Sequence, residues 1–169
     1  AIKEVQNAGI QVVMVTGDRK ETAVAIAKEA GLIKNSSDVA LTSAELNEKS
    51  DEELKKIIPD LRVVARALPT DKSRLVRCAQ ELDYVVGMTG DGVNDVLALK
   101  DADCSVAMAS GSEAAAQVSQ LVLLESDFSK MPDVVMEGRR VVNNLERSGS
   151  LFLVKNIFSL IMSVLTICF

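Results

Sequence analysis

Two loops carry the same three residues, Thr16-Gly17-Asp18 and Thr89-Gly90-Asp91. The second continues as Gly92-Val93-Asn94-Asp95, so a pair of aspartates brackets a glycine-rich turn. Glycines on both sides of Asp91 let the backbone come close to a ligand and leave the carboxylate pointing into open space, where a hard cation can sit. A third loop, Pro69-Thr70-Asp71-Lys72, puts a lysine in the first turn of a helix, where the helix dipole disfavours positive charge. An anion that the lysine must meet explains that placement better than chance. A hydroxyl, a lysine and paired carboxylates form a donor set for metal-assisted phosphoryl chemistry: Thr16 and loop amides hold phosphate oxygens, Lys72 cancels charge, and Asp91 with Asp95 holds Mg2+. Each residue also has a plainer role, since Asp18 can cap the helix starting near Lys20, and Asn94 or Asp95 the helix that follows them. The second loop lacks the third glycine of a dinucleotide fingerprint, has no P-loop lysine and does not match EF-hand spacing.

Composition narrows the chemistry further. The 169 residues contain no histidine, which excludes imidazole ligands and histidine-dependent acyl transfer. A net charge of -5 and a pI near 4.9 argue against a nucleic-acid partner, whose phosphates call for a basic face. Cys78, Cys104 and Cys168 stand far apart without a CxxC pair, so neither a disulfide framework nor a zinc site is indicated. The chain opens on Ala1 directly into a charged amphipathic segment, with no signal peptide or initiator Met, and reads as the interior of a longer protein.

The elements that must position these loops follow from apolar runs bounded by turn residues: Ile10–Val15, Arg62–Ala67, Tyr84–Met88, Cys104–Ala109 and Gln120–Leu124. Short, nearly unbroken runs suit strands buried on both faces. Between them, residues 20–31, 43–58, 71–82 and 94–102 have helical spacing. Alternating strand and helix predicts a parallel sheet with helices on its faces, and ligands of such sheets collect where strands end and helices begin. Thr16, Asp18, Lys72, Asp91 and Asp95 are all expected at that edge. A nucleophile is missing from the set: Asp60, Asp83, Asp101 and Asp103 lie at helix edges or strand entries, so the phosphorylated carboxylate is expected upstream of Ala1.

The tail changes character. Residues 132–150 predict a polar helix, and residues 151–169 are apolar with one charge, Lys155. That run is slightly short of the ~20 residues that cross a bilayer and reads as the start of a transmembrane helix. Arg139, Arg140 and Arg147 suit its cytoplasmic flank, and Lys155 can snorkel toward headgroups.

Three segments in order, VMVTGD with TAVAIAKEAGL, then VVARALPTDKSRLV, then MTGDGVNDVLALKDADCSVAM, resemble the phosphorylation domain of P-type (E1-E2) cation-transporting ATPases of the haloacid dehalogenase superfamily. The resemblance covers nearly the whole chain. It implies a three-layer Rossmann-like α/β fold incomplete at its N-terminus, with residues 1–131 the C-terminal part of the phosphorylation domain, 132–150 a stalk helix and 151–169 the start of a membrane helix. It further implies that Asp91 ligates Mg2+ while Asp95 and Asn94 order the Mg2+ and phosphate site. Thr16 and Gly17 would bind the phosphoryl group, Lys72 would neutralise it, and Asp18 and Arg66 would lie on the nucleotide side. The implied cofactors are Mg2+ and ATP, and the implied partners a transported cation, with calcium the expected ion, and the lipid bilayer. Residues 1–150 would be cytoplasmic and the whole an integral protein of the cell membrane. The family's DKTGT motif and inserted nucleotide-binding domain do not occur here, so the chain alone is expected to be inactive. Family members commonly read GDGVNDAP, whereas Val96-Leu97 follow here, removing a proline suited to a helix start. The alternative reading is a soluble Mg2+-dependent phosphatase of the same superfamily.

Overall fold

The computed structural model describes residues 1–168; Phe169, the last residue of the expected membrane segment, lies outside the described residues. In chain order the elements are α1 (Ile2–Asn7), β1 (Met14–Val15), α2 (Lys20–Glu29), β2 (Val39–Thr42), α3 (Ser43–Asn47), α4 (Asp51–Ile57), β3 (Leu61–Ala65) and α5 (Pro69–Gln80). They continue with β4 (Gly87–Gly90), α6 (Val96–Asp101), β5 (Cys104–Met108), α7 (Glu113–Val118), β6 (Leu121–Leu123) and α8 (Met131–Cys168). Every strand pairing is parallel, as helix-linked strands require. The strands divide into two three-stranded sheets, ordered β1-β3-β2 and β4-β5-β6, where one sheet was expected. The division falls between β1 and β4, the two strands that end in the TGD corners. Neither has a partner on its outer side among the described residues.

Helices cover both faces of the first sheet. Val63 and Ala65 of β3 pack with Ala23 and Ala27 of α2, all buried, while Val64 and Leu61 pack on the other side with Leu54 of α4 and Leu75 and Cys78 of α5. The second sheet packs on α6 and α7 through Ala107, Leu99 and Ala115, and Val76 of α5 meets Ala98 of α6 and Ala102 just past its end. α5 therefore turns one side to each half, as its spacing of apolar residues allows.

Three differences from the sequence-based expectation have local causes. The helix expected over 43–58 is two helices, because Thr42 with Glu45 and Ser50 with Glu53 each form a reciprocal capping box that starts a new helix. β2 was not anticipated, since Val39–Thr42 is brief and leads straight into a cap. The strands expected over 10–15 and 84–88 shrink to Met14–Val15 and shift to Gly87–Gly90. Both are edge strands, and hydrogen bonds other than a ladder fix the chain beside them. The Gln11 side-chain amide donates to the carbonyls of Ile58 (2.8 Å) and Leu61 (3.1 Å), and the Asp103 carboxylate accepts from Val86 N (2.8 Å).

Residues 1–129 form one compact unit, and a second begins at Lys130. The second is dominated by α8, which runs unbroken through Gly149 and Ser150. It contains an 18-residue window with a mean hydropathy of 1.9, long and apolar enough to cross a membrane.

Candidate phosphoryl and metal site

The first TGD corner is built by β3. Thr16 N donates to Val64 O (2.9 Å), and beyond the end of β3 the amides of Arg66 and Ala67 donate back to Asp18 O (3.0 Å) and Thr16 O (2.9 Å). This clasp holds Arg66 at a φ of 52°, a left-handed conformation that costs free energy in a side-chain-bearing residue and is typical of functional loops. Within the corner, Asp18 N and Asp18 Oδ2 both contact the Thr16 hydroxyl at 3.2 Å. Gly17 and Asp18 are exposed, and no atom would lie within 4 Å of a Cβ at Gly17. Lys20, two residues past the corner, is committed elsewhere: Nζ contacts the two Glu45 carboxylate oxygens at 2.7 and 2.8 Å. The Lys20 hydrogen bond is the main reason the Glu45 carboxyl lies below its ordinary range.

The second corner is organised by Asp95. Its Oδ2 accepts from the amides of Asp91 (3.3 Å) and Gly92 (3.1 Å), and its Oδ1 is 2.6 Å from Lys72 Nζ. Close approach makes this possible: a Cβ on Gly90 would lie 2.5 Å from Asp95 Cβ. The Asp95 side chain is 8% exposed and that of Lys72 14% exposed, so the pair is largely withdrawn from water. Asp91 contrasts with it. Its side chain is exposed and makes no hydrogen bond or ion pair among the described residues, while its carbonyl accepts from Ser112 N at 2.6 Å. Asn94 is exposed in the turn that leads into α6.

Of the residues singled out in the sequence, Lys72 and Asp95 are in direct contact, Asp91 is joined to Asp95 through the backbone, and Thr16, Asp18 and Arg66 share the clasp. No hydrogen bond links Thr16 or Gly17 to Lys72, Asp91 or Asp95 among the described residues. Two further contributors were not assigned a role from the sequence. Asp71, 2% exposed, accepts from Ser43 Oγ (2.5 Å), Asn47 Nδ2 (3.2 Å) and Leu68 N (2.9 Å), anchoring the turn that carries Lys72 to α3. The other is the Ser112 amide. Only a Ser ahead of the apolar run Glu113–Val118 marked that position in the sequence, as a helix cap.

The aspartates set aside as nucleophiles sit at the opposite ends of the strands. Asp60 precedes β3, Asp83 follows α5, and Asp101 and Asp103 precede β5. Asp101 accepts from the Ser73 hydroxyl and from Arg77, and these bonds, the Ser73 one first, hold its carboxyl below the ordinary value of 3.8.

No group of three or more His, Cys, Asp or Glu side chains is preassembled for a metal among the described residues. Mg2+ keeps several waters and is commonly held by one or two carboxylates plus substrate phosphates. Asp91 has the free carboxylate such a site needs.

Parallel strands flanked by helices, with carboxylates and a lysine at their carboxyl ends, define a Rossmann-like α/β protein. The chain belongs to the haloacid dehalogenase-like hydrolase family, whose profile matches residues 1–103. It is 38% identical over 162 residues to the probable cation-transporting ATPase exp7 of Streptococcus pneumoniae, covering 96% of this chain and 20% of that protein. It is 41% identical over 158 residues to the calcium-transporting ATPase of Bacillus subtilis, covering 93% of this chain and 18% of that protein. The chain thus spans about a fifth of the length of these relatives. Its fold is also that of the catalytic domain of the CPx-ATPase CopB-B, with a TM-score of 0.59 at 22% identity over 79% of this chain and 42% of that one.

Proposed function

We propose that this chain is the C-terminal part of the phosphorylation domain, with the stalk and the beginning of a membrane helix, of a P-type ATPase that pumps a cation through an aspartyl-phosphate intermediate. The observation that carries the reading is the pair of open parallel edges, β1 and β4, each ending in a TGD corner. Both edges accept the same kind of neighbour, an extended parallel strand. A strand seated between them would deliver its terminal carboxylate between Thr16 and Asp91, which is where a nucleophile is needed.

In this reading the upstream aspartate attacks the γ-phosphorus of ATP while the bond to the β,γ-bridging oxygen breaks and ADP leaves, and water later hydrolyses the acyl phosphate to release phosphate. Thr16 and the exposed Gly17 bind the transferred phosphoryl group. Lys72 offsets the negative charge, held in place by Asp95. Asp91 would hold Mg2+, and Asn94 and Asp95 would order the Mg2+ and phosphate site. Bound Mg2+ neutralises charge on the transferring group. Asp18 and the strained Arg66 face the nucleotide. α8 carries the chain into the bilayer of the cell membrane, with residues 1–150 cytoplasmic. Calcium is the proposed cargo, because relatives named as calcium-transporting ATPases match nearly the whole chain.

The test is phosphorylation of the full-length protein by γ-labelled ATP and Mg2+, with and without Ca2+, quenched in acid. The expected product is an acid-stable, hydroxylamine-labile label that depends on Ca2+. Asp91→Asn should lower it by about 100-fold or more, as losing one preorganised charge-stabilising group does elsewhere. Failure of the wild-type protein to take up label sinks the ATPase reading; label that ignores Ca2+ but follows another ion reassigns the cargo.

A further inference from the structure

The loop that follows β5 presses directly on the residue proposed to hold the metal. A Cβ on Gly111 would lie 2.4 Å from the Asp91 carbonyl oxygen, 2.8 Å from its Cα and 3.0 Å from its carbonyl carbon. These are backbone atoms, so no side-chain rotation can make room. One residue later, Ser112 N donates to the same carbonyl oxygen at 2.6 Å. On the other side of the residue, Asp91 N donates to Asp95 Oδ2. The Asp91 backbone is therefore gripped at both its N–H and its C=O, while its carboxylate has no partner among the described residues.

The gripping loop is itself fixed. Gly111 N donates to Met108 O (3.0 Å), Ser110 N to Ser126 Oγ (2.8 Å), and the Ser112 hydroxyl accepts from Ala114 N (3.2 Å) to start α7. None of these bonds involves a charged side chain, and the loop comes some twenty residues after Asp91 in the chain. Its contact with the site is made through the Asp91 backbone.

We infer that Gly111 and Ser112 are positioning residues for Asp91, whose backbone they clamp so that its exposed carboxylate is preorganised to bind Mg2+. This rests on the proposed role of Asp91. The outer partners of a metal ligand commonly alter affinity by about 10–100-fold when removed. Here the outer partner is a backbone contact, and that requires the residue without a side chain.

The experiment uses the full-length protein and Mn2+ as a spectroscopically visible stand-in for Mg2+, titrated by electron paramagnetic resonance; the relevant site is the one lost in Asp91→Asn. Gly111→Ala should weaken that site by about tenfold or more, with binding of a fluorescent ATP analogue in metal-free buffer unchanged. Ser112 has a φ of -72°, which proline accommodates, so Ser112→Pro removes the N–H while keeping the backbone angle. Ser112→Ala keeps that N–H and loses only the helix cap. Proline should weaken Mn2+ binding as Gly111→Ala does, and alanine should leave it as in wild type. Equal Mn2+ affinity in wild type, Gly111→Ala and Ser112→Pro overturns the inference, as does an alanine variant as weak as the proline one. If Gly111→Ala does not fold, the two Ser112 variants decide. A wild-type protein with no Asp91-dependent Mn2+ site also overturns it. Failure of the ATPase reading is separately visible: it appears as absent phosphoenzyme in wild type, whatever the Mn2+ titrations give.

Discussion

Lys72 and Asp95 come from different loops and are in direct side-chain contact, and nothing in their local sequence shows that they meet. Each loop is legible alone, Asp91 from its flanking glycines and Lys72 from its unfavourable place at a helix start, but their contact spans 23 positions. It depends on how α5 packs on α6. Because both side chains are withdrawn from water, removing one leaves the other buried without its charge partner. Lys72→Ala should cost about 3 kcal/mol of stability, seen as a lowered unfolding temperature of the solubilised protein. Lys72→Ala with Asp95→Ala should cost less than the sum of the single changes, because the double variant leaves no stranded charge. Asp91 is predicted to behave in the opposite way. Its carboxylate supports no contact, so Asp91→Asn should leave the unfolding temperature nearly unchanged while abolishing metal binding.

At the scale of elements, the alternation of apolar runs and helical spacing was enough to order the α/β layers. The capping boxes at Thr42 and Ser50 were also present as Thr-x-x-Glu and Ser-x-x-Glu, and read as such they would have divided the helix expected over 43–58. What the spacing could not convey is the role of α5 as the strut between two sheets. Polar contacts reinforce that strut along its length: Ser73 and Arg77 donate to the Asp101 carboxylate, and Gln80 Nε2 to the Asp101 carbonyl (2.9 Å). Since these bonds lower the folded-state pKa of Asp101, folding releases its proton more readily. Its contribution is therefore present above the ordinary value of 3.8 and is lost as pH falls through the lowered one. Asp101→Asn should destabilise the protein near neutral pH and flatten the fall in unfolding temperature below about pH 4, checked by thermal unfolding across that range.

At the scale of the molecule, a long apolar C-terminal helix was legible in the sequence, and α8 is long and apolar enough to cross a membrane. α8 continues through the polar stretch before it, with no change of backbone where residue 150 meets 151. A fusion of the chain through Ile167 to a soluble reporter should sediment with membranes and resist carbonate extraction, and one ending at Gly149 should not. Division of the strands into two sheets was not legible. Pairing register depends on which strands are neighbours, and periodicity within a run reports only burial. The two open edges have a further consequence, for handling. Unpaired amides and carbonyls along β1 and β4 will template pairing with any extended chain they meet. In the proposed reading one extended segment seats on these edges, so supplying it, in the same chain or as a separate peptide, should raise the solubility of this stretch expressed by itself, checked by sedimentation.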